Sequence, residues 1–257
     1  MTEPAQNTVE PGTVVVVTGG ARGIGAALTA HLTAQGAAVV VADVGDAGPL
    51  VDRLTAEGRQ VSAVQTDVAD EQSWARLVSA VLERHGRVDA LVNNAAIYMD
   101  LGAKSPFTEI SVADWDRVMA VNTRGVWLGM RAVHPAMQEQ GHGRIVNIAS
   151  STVHMGVPYF AHYTASKGAV IALTRTVARE VGRDGITVNA IAPGLVETEA
   201  TFSLNDRDYV ATAARGRAVP RPMVPEDLGP AISFLCSRGS GFITGQTVVV
   251  DGGVTFV

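Results

Sequence analysis

Residues 13–25 read TVVVVTGGARGIG. A β-branched run that stops at glycines predicts a strand buried on both faces. Gly19, Gly23 and Gly25 then set a G-x-x-x-G-x-G turn, and a helical pattern follows over about 24–35. Glycine allows a tight turn and lets the backbone approach a ligand closely. The next helix aims free N–H groups and the positive end of its dipole at the same spot, which suits a pyrophosphate. Such a turn also serves as a plain strand-to-helix connection, so its meaning depends on residues farther along the chain.

The same rhythm recurs along the chain. Further strands are expected at 39–42, 61–64, 88–92, 144–148, 186–191 and 247–250, and helices ending near Glu57 and over 71–85, 112–139 and 163–181. In the helix over 71–85, Trp74, Leu77, Val78, Val81 and Leu82 share one face. Apolar strands alternating with helices predict an α/β fold: a Rossmann-type, doubly wound parallel sheet of about seven strands, helices on both faces, in a single domain. Residues 1–12 read as a flexible tail and 13–257 as the domain. The stretch 195–222 is polar, Arg-rich and without periodicity. It follows the sixth strand, where such folds place a substrate lid, and an irregular lid is expected there.

Composition narrows the function. Of 257 residues, 47% are hydrophobic and 18% charged, enough apolar matter for a large core. The net charge of −5 argues against a nucleic-acid surface. No run reaches the roughly 18 apolar residues of a membrane helix. The opening MTEPAQNTVEPG lacks the basic start and apolar stretch of a secretory signal. Cys236 is the one cysteine, so no internal disulfide forms, and no Cys/His cluster suggests a metal. A soluble, cytoplasmic protein is expected.

Two aspartates extend the reading of the glycine turn. Asp43 ends the second strand, twenty positions past Gly23, where a carboxylate can bind a ribose diol. Asp67 follows the third strand and is placed to meet an adenine edge. Either alone is more often a turn or cap residue; with the turn they describe a dinucleotide cleft. A carboxylate at 43 repels a 2′-phosphate and favours NAD over NADP. Arg22, inside the turn, pulls the other way because a guanidinium pairs with phosphate.

Residues 163–167 read YTASK, in a chain with two lysines, Lys104 and Lys167, against eighteen arginines. On a helix, positions i and i+4 share a face, so Tyr163 and Lys167 project together with only small residues between. An ammonium about 5 Å from a phenol, at an effective dielectric of about 20, attracts the phenolate by roughly 3 kcal/mol. That is enough to draw the phenol toward the neutral range and make it a general acid/base. Tyr159 is a rival base whose own i+4 neighbour is Tyr163 rather than a cation. A snorkelling surface pair is the plain alternative for Tyr163 and Lys167.

Together these residues resemble the short-chain dehydrogenase/reductase family. The ordered set is T18-G-x-x-x-G-x-G25, D67-V68, N93-N-A-A96, Asn122, Ser150, Y163-x-x-x-K167, P193-G194 and Thr198, over about 13–253. The resemblance implies that Tyr163 is the acid/base, that Lys167 holds the nicotinamide ribose, and that Ser150 hydrogen-bonds the substrate oxygen, with Ser151 a bystander. It assigns Asn122 to a proton relay with Lys167; the plain alternatives are a helix-kink residue for Asn122, a strand-end cap for Ser150 and a helix N-cap before Glu199 for Thr198. It places Gly19, Arg22, Gly23, Ile24, Gly25, Asp43, Asp67, Val68 and Asn94 along the dinucleotide, and Pro193, Gly194, Val196 and Thr198 around the nicotinamide. Family topology sets Tyr98, His154, Tyr159, Leu195 and Phe202 near the substrate. Position 96 departs from the family, which often has glycine there.

The implied reaction is hydride transfer between a secondary alcohol and NAD, giving a ketone. The expected pocket favours an uncharged cyclic, aromatic or terpenoid substrate. Arg215, Arg217 and Arg221 are expected to be solvated or paired with Glu199, Asp206 and Asp208. Trp115 and Trp127 are expected in the core or at a subunit interface. The family's habit, and the closing segment 242–253, imply a homo-oligomer, with a tetramer favoured. A 3-oxoacyl carrier-protein reductase using NADPH is the rival enzyme, and a non-catalytic dinucleotide-binding sensor is the rival of another class.

Overall fold

The computed structural model of the protein describes residues 8–98, 101 and 104–257. Seven strands form one parallel sheet: β1 (Val14–Thr18), β2 (Ala38–Asp43), β3 (Val61–Gln65), β4 (Ala90–Asn93), β5 (Gly143–Ile148), β6 (Ile186–Pro193) and β7 (Thr247–Val250). Their order is β3-β2-β1-β4-β5-β6-β7, so the winding reverses between β1 and β4. A doubly wound sheet opens a crevice at that reversal, beyond the carboxyl ends of its strands.

Strand alternation divides the core between two faces. Val14 and Val16 of β1 pack with Val40, Leu91, Ile145 and Val188 under α3 (Glu71–His85), α5 (Gly125–Gln140) and α7 (Ala161–Val181). Val15 and Val17 pack with Val39, Val92, Val146 and Ile191 under α1 (Gly23–Ala34) and α10 (Gly229–Cys236). Val41 meets Leu50 and Leu54 of α2 (Gly48–Ala56). Burial of each such side chain is worth about 1.5–3 kcal/mol, which is why the strands carry apolar residues on both faces. At one end of β1 the Val14 N–H donates to Asp89 Oδ2 (2.8 Å). At the other, Thr18 Oγ1 accepts from the N–H groups of Asn94 and Ala95, both at 3.0 Å.

Four expectations need correction. First, the helix expected over 112–139 is two helices, α4 (Val112–Met119) and α5, joined by a π-helical turn at Ala120–Arg124. The fully buried Asn122 lies in that turn, where its amide holds both main-chain groups of Ile97. Second, the segment expected to be irregular contains α8 (Glu199–Leu204) and α9 (Arg207–Arg215), capped by Thr198 and Asp206. Third, the tail does not extend through residue 12: Val9 is buried in the core, and its N–H donates to Ser233 Oγ. Fourth, Trp115 and Trp127 lie outside the core, 39% and 42% exposed, so of the two places expected for them only a subunit interface stays open. The short α6 (Thr152–Met155) completes the helices used below. No helix among the described residues is long and apolar enough to cross a membrane.

Candidate active site

The crevice at the β1/β4 reversal is a cleft of about 700 Å³. That volume falls within the range of small-molecule and cofactor sites. One half is built on the turn after β1. Gly19 (φ 61°) packs against the chain just past β4, where a Cβ would sit 2.8 Å from Ala95 Cα. Gly25 is tighter still, since a Cβ there would reach 2.0 Å from the Gly19 carbonyl oxygen. Gly23 differs: its φ is 53°, and a Cβ would meet nothing within 4 Å, because that side faces the cleft. Asn94 fastens the turn, donating from Nδ2 to the carbonyls of Thr18 (2.9 Å) and Gly19 (3.0 Å).

Arg22 precedes α1 in extended conformation and gives its first turn no side-chain cap. Gly23, Ile24 and Gly25 of that turn line the cleft. An uncapped helix start beside an open glycine is a fit for an anionic phosphate pair. Asp43 stands at the end of β2 in the same half, accepting from the N–H groups of Ala21 (3.0 Å) and Gly45 (2.9 Å). Each of its oxygens keeps a lone pair for a diol. Asp67 and Val68 also line the cleft, and Asp67 Oδ1 accepts from the Ala69 N–H. The donor set therefore fits a nicotinamide dinucleotide.

The other half gathers Ser150, Tyr163 and Lys167, with Pro193, Gly194, Leu195, Val196 and Thr198 along its edge. Ser150 follows β5, and its hydroxyl accepts from Thr152 Oγ1 (3.0 Å) and hydrogen-bonds Tyr163. Lys167 is buried one helical turn after Tyr163; its Nζ donates to the Ile148 carbonyl (2.7 Å) and lies 5.7 Å from the Tyr163 ring centroid. Tyr98 and Phe160 enclose the same ring edge-on and tilted, with centroids 5.3 and 4.7 Å away.

Electrostatics in the protein alone run against the expected softening of the phenol. Burial, followed by Tyr98, pushes Tyr163 well above the ordinary phenol value, and the Ser150 hydrogen bond opposes this. Burial also pulls Lys167 down to about 8. Desolvation disfavours both charged forms, and it outweighs the mutual attraction on which the expectation rested.

Several expected site residues lie elsewhere. Asn122 is behind the wall, its Nδ2 on Ile97 O and Ser166 Oγ (both 3.2 Å) and its Oδ1 on the Ile97 N–H, so its side chain is a clamp. His154 is exposed on α6 outside the cleft lining. Tyr159 is 57% exposed with φ 62°, ahead of α7 rather than on it, and so shares no helical face with Tyr163. Phe202 turns away from the cleft to lie 5.0 Å under the Arg207 guanidinium. The lid arginines also choose other partners. Arg221 pairs with Asp227, and Arg217 donates to the carbonyls of Arg221 (2.7 Å) and Leu195 (2.6 Å). Lys104, Met155, Val157, Phe160, Tyr209 and Arg217 line the cleft instead. Lys104 carried one signal in the sequence, as the other of the two lysines.

A family model described as enoyl-(acyl carrier protein) reductase matches residues 19–255. The chain belongs to the short-chain dehydrogenase/reductase family. Among its relatives, a cis-4-hydroxycyclohexanecarboxylate dehydrogenase from Sinomonas cyclohexanicum is 39% identical over 245 residues, covering 95% of this chain and 97% of the relative. A 3-oxoacyl-[acyl-carrier-protein] reductase from Synechocystis sp. is 38% identical over 250 residues, covering 94% and 96%. A crystal structure from Agrobacterium tumefaciens, provisionally named a gluconate dehydrogenase, superposes with a TM-score of 0.90 at 31% identity, covering 97% of this chain and 98% of the other. This short-chain dehydrogenase/reductase is thus an oxidoreductase whose relatives act on alcohols and ketones.

Proposed function

We propose that the protein interconverts secondary alcohols and ketones with NAD, and that its substrate is mainly apolar: cyclic, aromatic or terpenoid. The observation that carries this reading is the convergence of Ser150, Tyr163 and Lys167 in one cleft with the open face of Gly23. Bound along the glycine turn and Asp43, the nicotinamide dinucleotide supplies the hydride acceptor for oxidation and the donor for reduction.

The chain's own groups handle the proton. Tyr163 gives its phenolic proton to the oxygen of a ketone, or takes the hydroxyl proton of an alcohol once ionised. Ser150, held by Thr152, donates to the same oxygen as charge develops there. Lys167 fixes its ammonium between Ile148 O and the Tyr163 ring, where a positive charge favours the phenolate during oxidation. Tyr98, Phe160 and Leu195 give the substrate side an apolar, aromatic wall. A ring alcohol suits such a wall, and the Sinomonas relative is named for one.

The test monitors absorbance of reduced cofactor with a panel of secondary alcohols, offered with NAD and separately with NADP. Turnover with NAD is expected. Tyr163→Phe should lower kcat about 10²–10⁴-fold while cofactor affinity stays within about twofold; near-normal turnover would remove Tyr163 from its role. A second reading is an NADPH-dependent 3-oxoacyl carrier-protein reductase. It is favoured by Arg22, which lines the cleft beside the turn, and by the Synechocystis relative. Strong NADP preference together with reduction of the 3-oxo group of a 3-oxoacyl carrier thioester would establish it.

A further inference from the structure

Both lysines of the chain line the same cleft. Lys167 belongs to the chemistry proposed above; Lys104 has no part in it. The Lys104 Nζ donates to Asn205 Oδ1 (2.8 Å), just after α8. It also lies 5.8 Å from the Phe160 ring centroid and 5.0 Å from that of Tyr209. The Phe160 ring is common ground, because it also packs on Tyr163, at 4.7 Å. One aromatic side chain therefore separates this ammonium from the phenol.

An ammonium has three donors, and Asn205 is a neutral acceptor for one. No ion pair with a carboxylate is recorded for Lys104 among the described residues. A half-buried cation over aromatic rings, with donors left over and an apolar wall leading to the reacting phenol, is a recognition point for an anion. Its single charge balances that of one carboxylate.

We propose that Lys104 selects substrates bearing a carboxylate on the side of the molecule away from the reacting carbon. The ring of such a substrate lies along Tyr98 and Phe160, and the carboxylate meets Nζ beside Asn205. This deepens the alcohol–ketone reading and rests on it for the orientation of the substrate.

Calorimetric titration tests the inference without turnover, using cyclohexanecarboxylate and its neutral counterpart cyclohexanecarboxamide, with NAD present and again with NADP. The carboxylate should bind wild-type protein at least about tenfold more tightly, the usual scale for a hydrogen bond to a charged group. Lys104→Met should bring that ratio to near one while leaving carboxamide affinity within about twofold. Lys104→Arg should keep most of the preference. Equal binding of the two by wild-type protein, or a ratio unchanged in Lys104→Met, would overturn the inference. Failure of the alcohol–ketone reading shows separately, as absence of turnover with either cofactor across a panel that holds both neutral and carboxylate-bearing secondary alcohols.

Discussion

At the scale of single residues, burial decides how the reactive groups titrate. Lys167 has a folded-state value of about 8 against an ordinary 10.5. Between those limits the unfolded chain binds more protons than the folded one, so folding stability rises with pH across that window. Below it, the buried cation costs roughly 3 kcal/mol. Lys167→Met removes this titration, and wild-type protein should therefore gain stability relative to the variant between pH 8 and 10.5; urea unfolding at several pH values measures it. A flat difference would mean that the lysine is better solvated than its 2% exposure implies. Tyr163 works in the opposite sense. Its folded form keeps the proton longer than the unfolded chain does, so stability falls once pH passes about 10. The pair Tyr163 and Lys167 was legible from the five letters YTASK, because helical spacing alone puts them on one face. The direction of their titration was not, because desolvation depends on Tyr98, from a distant part of the chain, and on Phe160, whose packing on Tyr163 no helical spacing shows.

At the scale of elements, the glycines of the turn after β1 divide into two kinds. Gly25→Ala drives a methyl group into the Gly19 carbonyl and should lower both melting temperature and cofactor affinity. Gly23→Ala faces open space and carries only the strain of its φ of 53°, about 1–2 kcal/mol. Its methyl group would stand where phosphate is expected, so cofactor affinity should fall far more than stability; thermal melts and fluorescence titration separate the two. The π-helical turn around Asn122 makes a second case. Asn122→Ala strands the N–H and carbonyl of Ile97, and each buried unsatisfied group costs about 1–3 kcal/mol. A denaturant midpoint equal to that of wild type would contradict the clamp. The strands were legible because valine runs have one good solution in this architecture. The turn at 120–124 was legible only as the alternative of a kink at Asn122, because the Asn122 side chain bonds to Ile97, 25 residues away. Helix α9 was missed, and α8 was foreshadowed only by Thr198 as an N-cap, because at nine and six residues they are too short to show a period. Their caps, Thr198 and Asp206, were the available signal.

At the scale of the whole molecule, the reversal between β1 and β4 joins fold to site: the sheet order places the cleft before any side chain is considered. A ligand that binds only the folded state raises its stability, by about 2.7 kcal/mol at a hundredfold excess over Kd. NAD should accordingly raise the melting temperature more than NADP at equal concentration; the reverse order would overturn the reading of Asp43. The surface carries its own expectation. Phe242 is fully exposed, Phe256 and Phe107 nearly so, and Trp115 and Trp127 are largely exposed. Aromatic surface of this kind is commonly covered by association, and light scattering should give the mass of a tetramer; a monomer at micromolar concentration would count against it. The alternation of strands and helices announced a doubly wound parallel sheet, whereas the substrate-side wall was only partly foreseen. Tyr98 and Leu195 were placed there by family topology, but Lys104 arrives on a segment outside any helix or strand, and Tyr209 on α9, which is too short to show a period.

The four valines of β1 have a further consequence. Four identical letters in a row carry no phase: slid by one position, they would offer both layers the same oil. What times the strand is the polar grip at its ends, Asp89 on Val14 and Thr18 on Asn94 and Ala95. One of those grips also forms the floor of the cleft, so a mistimed strand cannot hide in the core. It would announce itself where the coenzyme is meant to lie.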